Sequence, residues 1–253
     1  MWAIQKDCDR FEEWIEALDH NNIKYEIIPN LLHLPDLTNV EMCYGDINFC
    51  KFVHWKTNWN LFFDFKKCYY SNFAGKLNHS LLNYPYIIQT LEDIKHTEIF
   101  KLGDYDAERS DKSIFMRPNR SDKPFSGGLF YQKEFSREVD DLLRYVDPEE
   151  LVVISEPKKI IHEDRHIVHN RQIKFSARYI TNGEIEDSVT PTDVVEDAQR
   201  LVKYCPEDWF VLDTCVLEDG IKIVELNCLS SSGTYGINLK ELVKEIDRTL
   251  CLL

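Results

Sequence analysis

No apolar run in this chain approaches a membrane span: the longest, such as Leu151-Val152-Val153-Ile154, fall far short of the ~20 residues a bilayer helix needs. The opening MWAIQKDCDRFEEW also lacks the pattern of a secretory leader, carrying acids where a basic segment and then an apolar one would stand. Both absences predict a cytoplasmic protein with no membrane partner. Basic residues are in deficit: 30 Lys plus Arg stand against 44 Asp plus Glu, a formal charge of -14. Such a surface repels phosphate backbones and anionic lipid, which makes nucleic acid a poor partner. No two of the eight cysteines form a C-x-x-C arrangement, so they read as reduced, small core residues and not as a disulfide framework. Internal repeats, low-complexity tracts, a G-x-S-x-G motif and a convincing Cys/His pair are missing as well, leaving no side-chain nucleophile in view.

What is present is ordinary globular sequence, 253 residues at 43% hydrophobic, enough to bury one large core or two small ones. Asp7 can cap a helix whose apolar positions Phe11, Trp14, Ile15 and Leu18 keep the 3.6-residue period, and Ile23 to Ile28 reads as a strand ended by Pro29. Val40 to Tyr44 and Ile47 to Val53 suggest further strands around Gly45-Asp46, while the aromatic-rich Asn58 to Pro85 supports no assignment. The polar Leu102 to Lys112, LGDYDAERSDK, marks a boundary between an α/β domain at 1–105 and an α+β domain at 106–253. Beyond it, strands are expected at Ser113 to Arg117, Leu129 to Tyr131, Leu151 to Ser155, Arg165 to His169, Gln172 to Ile180, Trp209 to Leu217 and Ile221 to Leu226. Two helices interrupt them, one near Ser136 to Val146 and one with Thr190 as N-cap and Pro191 at its first position.

The stretch FVLDTCVLEDGIKIVELNCLSSSG, Phe210 to Gly233, sets Asp213, Glu225 and Asn227 into two otherwise apolar segments. With Glu218-Asp219-Gly220 as a three-residue loop, Asp213 falls opposite Glu225, and Asn227 lies two residues on along the same face. Two unit charges ~4 Å apart repel by about 4 kcal/mol at an effective dielectric of 20, so the pair calls for a cation. Two carboxylates and an amide carbonyl are too few to enclose calcium and suit Mg²⁺, which keeps waters and completes its shell on substrate phosphates. On this reading the acids serve the ion and not the fold. A two-residue loop is the alternative: it shifts the register by one and turns a side chain outward. His162, His166 and His169 raise zinc, but a strand puts the third on the opposite face from the first two.

SIFMRPNRSDKPFSGGLFY, Ser113 to Tyr131, is a basic island holding Arg117, Arg120 and Lys123 before Gly127-Gly128, which suits triphosphate oxygens or an ordinary solvated hairpin tip. In LVVISEPKKIIHEDRHIVHNRQIKFSARY, Leu151 to Tyr179, Glu156 ends a buried strand, and Glu163 and Arg165 follow. An Asn170-Arg171 turn would set Glu163 opposite Arg178 and Arg165 opposite Ser176, and a Glu163–Arg178 ion pair would explain both residues without a ligand.

In order, the basic strand and glycine loop, Glu-Pro, Glu-x-Arg, and Asp followed by Glu-x-Asn resemble the ATP-grasp superfamily. The closer likeness is to its viral and bacterial clade with arginine before the proline of the first phosphate-binding strand. The match covers about Ser113 to Gly236, with a weaker extension at Leu77 to Leu91. The resemblance implies a nucleotide clasped between two α+β subdomains behind a small α/β domain. It places Arg117 and Lys123 on ATP phosphates, Glu156 in the hinge at adenine, Glu163 on the ribose and Asp213, Glu225 and Asn227 on Mg²⁺. Arg165 and Arg178, with Arg117, would face the γ-phosphate or an acyl phosphate. The implied activity is a carboxylate–amine ligase forming an amide from a small-molecule or peptide carboxylate and an amine; a phosphotransferase and a non-catalytic nucleotide-binding protein are the alternatives. Specificity would lie in the N-terminal part and in Cys228 to Gly236. Departures are the arginine in place of the superfamily's usual lysine and the short, two-glycine loop.

Overall fold

The computed structural model describes residues 1–31, 34–62, 64–101, 112–205 and 208–251, built on three sheets. The first is parallel, in the order β2-β1-β3, from β1 (Trp2–Gln5), β2 (Tyr25–Ile28) and β3 (Met42–Tyr44). Helix α1 (Phe11–His20) connects its first two strands and buries Trp14, Ala17 and Leu18, the helical spacing legible in the sequence. Its N-cap is Arg10, in the left-handed region at φ 54, and not Asp7. The expected strand at Ile47 to Val53 is instead α2 (Ile47–Lys56). Asp46 accepts a hydrogen bond from the Phe49 backbone N–H at 2.8 Å, closing the first turn, and the buried Phe49, Cys50 and Val53 recur at helical spacing. Within the unassigned aromatic stretch lies α3 (Tyr70–Leu77), with Tyr70, Phe73, Ala74 and Leu77 buried.

The second sheet is antiparallel, ordered β4-β7-β5-β6, from β4 (Tyr86–Thr90), β5 (Ser113–Pro118), β6 (Gly128–Tyr131) and β7 (Leu151–Ser155). Helix α4 (Phe135–Leu142) packs Phe135, Val139 and Leu142 into the same core as Ile114, Met116, Val152 and Ile154. The expected boundary segment lies, except for Lys112, outside the described residues; β4 joins this sheet from its N-terminal side.

The third sheet, also antiparallel, runs β10-β9-β8-β11-β12, with β8 (His162–His169), β9 (Gln172–Thr181), β10 (Glu184–Ser188), β11 (Phe210–Leu217) and β12 (Gly220–Cys228). Helix α5 (Thr192–Leu201) starts one residue later than expected, with Pro191 at the cap position and the buried Thr190 hydroxyl without a partner among the described residues. Helix α6 (Leu239–Leu250) has no counterpart in the sequence reading, although Asn238 caps it through the Lys240 and Glu241 backbone N–H groups. It packs on α1, where the Asn21 amide donates to the Lys240 carbonyl at 2.9 Å.

Seven of the eight cysteines are buried, and Cys251 is exposed. Burial pushes the thiols of Cys8, Cys205 and Cys215 up to about 12, which keeps them protonated and poor nucleophiles at neutral pH. The three histidines have separate partners: His162 meets Thr181, buried His166 bridges Ser176 and Thr214, and His169 stacks on Trp209 at 4.5 Å. Among the described residues, no helix is long and apolar enough to cross a membrane.

Candidate active site

The hairpin of β11 and β12 starts in one register and ends in the other. Leu217 pairs with Gly220, so the loop is the two-residue alternative, Glu218-Asp219, with Gly220 at a positive φ of 121. A bulge at Val224 then shifts the ladder between Asp213 and Thr214, and Asp213 returns to a position opposite Glu225. The bulge also turns the Val224 carbonyl toward Arg117 Nη1, which donates to it at 2.9 Å.

Arg117, from β5, donates through Nη2 to Glu225 Oε2 at 2.6 Å, and Lys123 Nζ reaches Glu225 Oε1 at 2.8 Å. The Asn227 amide nitrogen bridges the acids, 2.8 Å from Glu225 Oε1 and 3.1 Å from Asp213 Oδ2. Arg165 grips Asp213 in a fork, at 2.7 and 2.6 Å. Asp213, Glu225 and Asn227 thus converge between the guanidinium of Arg117 and that of Arg165, all of them buried. Burial raises the Asp213 carboxyl against the pull of Arg165, whereas at Glu225 the same burial is outweighed by Arg117 and Lys123, which hold it below the usual carboxylate range.

The donor set fits a small hard cation. Among the described residues no three His, Cys, Asp or Glu side chains gather as a metal site, but this cluster has two carboxylates completed by an amide. The amide N–H₂ lies between the two acids, where a positive charge is most favoured. Turning that amide over offers its carbonyl oxygen as a third hard ligand, and amide orientation follows the hydrogen-bond partners available. The Asp213 carboxylate is also the counter-ion of buried Arg165, so the acids support the fold as well as any ion.

Strands β8 and β9 correct two expected pairings. The Asn170-Arg171 turn forms as expected, both residues at positive φ, but bulges opposite Ile167/Val168 and Glu163/Asp164 shift the ladder. Asp164, not Glu163, faces Arg178, and the two form a buried ion pair at 3.1 Å; Arg165 faces Ala177, with Ser176 opposite His166. Arg178 therefore does not line the cleft described next. Glu163 does, and accepts a hydrogen bond from the Tyr179 hydroxyl at 2.7 Å.

That cleft, of about 540 Å³, lies between the second and third sheets. It is lined by the charged Arg117, Lys123, Glu163, Arg165 and Glu225, by the apolar Leu82, Phe115, Leu129 and Ile160, and by the Glu156-Pro157-Lys158 connection. A side chain at Gly127 would stand 3.0 Å from the Arg117 Cβ, so this glycine is set by close approach. A second cavity of about 330 Å³ shares Lys123, Arg165 and Tyr235 with the first and opens onto Ser231 to Gly233. Arg120 belongs to neither: it is taken up by Asp122 and Glu150, and Lys51 of α2 pairs with the same Asp122, which pins the loop carrying Lys123.

Sequence reasoning missed the aromatic support of Arg165. Tyr179 and Tyr235 stack at 4.5 Å and 6°, and the Arg165 guanidinium lies 4.6 Å from the Tyr235 ring centre. Tyr235 holds a positive φ of 40 in its loop, which Arg10 clamps through Thr234 Oγ1 and the Tyr235 and Ile237 carbonyls. No local pattern announces that clamp, since its halves lie more than two hundred residues apart.

The family model that matches, over residues 56–246, describes an ATP-grasp domain, family 3 of the clade with arginine in the first phosphate-binding strand. No curated protein matches the chain. Among solved structures, D-alanine–D-alanine ligase from Bacillus anthracis complexed with ATP aligns at TM-score 0.67 and 13% identity, over 99% of this chain and 96% of its own. A RimK-domain ATP-grasp protein from Sphaerobacter thermophilus aligns at 0.64 and 11%, over 97% and 98%, and D-cycloserine synthetase DcsG at 0.63 and 10%, over 98% and 99%. At such identities the likeness is one of fold. The cleft between two antiparallel sheets, the arginine on β5 and the matched family model lead to one conclusion: this chain has the ATP-grasp fold and belongs to the arginine-bearing clade of ATP-grasp domains.

Proposed function

We propose that this protein is an ATP- and Mg²⁺-dependent ligase that joins a carboxylate to an amine through an acyl phosphate. The observation that carries this reading is the convergence of Arg117, Lys123 and Arg165 with Asp213, Glu225 and Asn227 where the cleft adjoins a second cavity. Another structural neighbour, PsnB, is an ATP-grasp ligase complexed with precursor peptide, and others are D-alanine–D-alanine ligases, which supports a small-molecule or peptide carboxylate as substrate.

Arg117 and Lys123 would hold the phosphates, the Glu156 connection the base, and Glu163 the ribose hydroxyls. Asp213, Glu225 and Asn227 would hold Mg²⁺, which when bound supplies charge neutralisation on the transferring phosphoryl group. A substrate carboxylate oxygen in the second cavity attacks the γ-phosphorus and ADP leaves; the amine then attacks the acyl carbon, phosphate leaves, and the amine's proton passes to solvent. Arg165, fixed by Asp213 and Tyr235, faces that exchange; Arg178, tied to Asp164, supports the sheet behind it. No thiol or hydroxyl nucleophile enters. On the same reading, residues 106–253 form most of the nucleotide clasp, β4 and Leu82 add to it from the N-terminal side, and the rest of 1–105 forms a substrate-side domain.

Hydroxylamine distinguishes the readings. With ATP, Mg²⁺ and a panel of amino acids and short peptides, hydroxamate should form in step with ADP. A stable phosphorylated product would indicate a phosphotransferase, and bound nucleotide without ADP release a regulatory binding protein.

The carboxyl of Glu163 is raised by burial, which outweighs the Tyr179 hydrogen bond. A ribose hydroxyl donates to the ionised form, so nucleotide affinity should fall with falling pH, beginning above the range of an ordinary glutamate. In Glu163→Gln that pH dependence should vanish while affinity is lower throughout, as calorimetry with an ATP analogue would read. An unchanged profile would remove Glu163 from the ribose.

A further inference from the structure

Tyr235, with Lys123 and Arg165, lines both the cleft and the second cavity. The phenols beside it are committed: the Tyr179 hydroxyl donates to Glu163 at 2.7 Å and that of Tyr44 to the Ser232 carbonyl at 2.8 Å. The Tyr235 hydroxyl makes no hydrogen bond among the described residues and, unlike the unpartnered Tyr70 hydroxyl sealed in the core, is open to the cavities. Its direction is set from the backbone. Tyr235 holds a positive φ of 40, uncommon for so large a side chain, and Arg10 keeps it there by donating to Thr234 Oγ1 at 3.2 Å, to the Ile237 carbonyl at 3.0 Å and to the Tyr235 carbonyl. Glu13 braces Arg10 in turn, at 2.9 Å. Backbone held in a sparsely populated region by dedicated bonds is characteristic of sites that aim a side chain at a ligand.

Gly233 locates the working end of the ring. A Cβ at that wall residue of the second cavity would stand 3.9 Å from the hydroxyl-bearing carbon of Tyr235 and 3.7 Å from Arg165 Nη1, so phenol and guanidinium flank one spot on the wall. Arg165 is already engaged there, through Nε and Nη2 on Asp213 and through Nη1 on the Gly233 carbonyl at 2.7 Å. Burial raises the Tyr235 phenol above its ordinary value against the pull of Arg165, and the hydroxyl keeps its proton as a donor. We propose that Tyr235 is a catalytic residue of the ligation, its hydroxyl donating to the acyl oxygen of the substrate, the one that remains on carbon. This rests on the ligase reading above. When the amine attacks, the N–C bond forms and that oxygen takes up a full negative charge; the C–O bond to phosphate then breaks with its electron pair, and the amine's proton passes to solvent. The tyrosine keeps its own proton throughout. A donor fixed at the acyl oxygen is worth most at the moment of full charge, which is where a catalyst gains rate.

Tyr235→Phe tests this, since phenylalanine keeps the ring on Tyr179 and Arg165 and removes only the hydroxyl. The whole chain is assayed with ATP, Mg²⁺, hydroxylamine and a carboxylate from the panel of amino acids and short peptides on which the wild type forms hydroxamate. In the variant kcat is expected to fall about a hundredfold, the loss typical of one oxyanion donor. Its affinity for adenosine 5′-(β,γ-imido)triphosphate by calorimetry, and its thermal melting, should match the wild type. A wild-type kcat in Tyr235→Phe, or a loss accompanied by weaker nucleotide binding or a lowered Tm, would overturn the role of the hydroxyl while leaving the ligase standing. A wild-type chain that gives neither ADP nor hydroxamate with any carboxylate of the panel would overturn the ligase reading and this role with it.

Discussion

Glutamine at position 225 is expected to lower Mg²⁺-dependent ADP release at least about a hundredfold, the loss typical of removing one preorganised electrostatic group from a phosphoryl- or acyl-transfer site. The substitution keeps the shape of the side chain and its bond to Asn227. It removes the charge that holds Arg117 Nη2 at 2.6 Å and Lys123 Nζ at 2.8 Å, and one of the two carboxylates available to the ion. Both cations then repel each other instead of sharing a counter-charge. Steady-state ADP release, with melting to confirm a folded variant, checks this; turnover close to wild type would show that Glu225 orders the cleft without serving the reaction.

Arg165→Met should be the most destabilising single change at the site, by about 3–5 kcal/mol, because it strands Asp213 in the interior without its fork of hydrogen bonds. Adding Asp213→Leu should restore much of that loss, since an apolar pair of similar volume can replace a buried ion pair at little cost. Turnover should be absent in both. Urea unfolding of the single and double variants, alongside ADP release, separates the two contributions. Wild-type stability in Arg165→Met would mean that Asp213 is solvated in a way its 1% exposure denies.

The parts of the fold read correctly from sequence are those fixed by local pattern. Apolar periodicity located α1, alternating and β-branched runs located the strands of the second and third sheets except β4 and β10, and the Asn170-Arg171 turn formed where its residues permit positive φ. Bulges were invisible, because an extra residue such as Val224 has no compositional mark; yet it reconciles a two-residue loop with Asp213 opposite Glu225. The same blindness paired Glu163 with Arg178, where one shifted register gives Asp164 instead. Ile47 to Val53 failed for another reason: its aromatic and β-branched residues favour strand, and the Asp46 cap together with packing against the first sheet overrides that preference. Of the charged residues expected at the candidate site, Arg117, Lys123, Glu156, Glu163, Arg165 and Glu225 line one cleft and Asp213 pairs with Arg165, whereas Arg178 turns to Asp164. Tyr179, Tyr235 and the Arg10 clamp were not legible, because each acquires its place through contacts distant in the chain.

The central claim is that the two acids and the amide of β11 and β12 hold a divalent cation against the nucleotide phosphates. A crystal grown with Mn²⁺ and a non-hydrolysable ATP analogue, measured for the anomalous scattering of manganese, tests it most directly. The account predicts a manganese peak bound by carboxylate oxygens of Asp213 and Glu225 and by the Asn227 amide oxygen, at distances of about 2.1 Å, with the amide turned from its present orientation. A nucleotide bound in the cleft with manganese elsewhere, or with the Asn227 nitrogen still bridging the two acids, would contradict it.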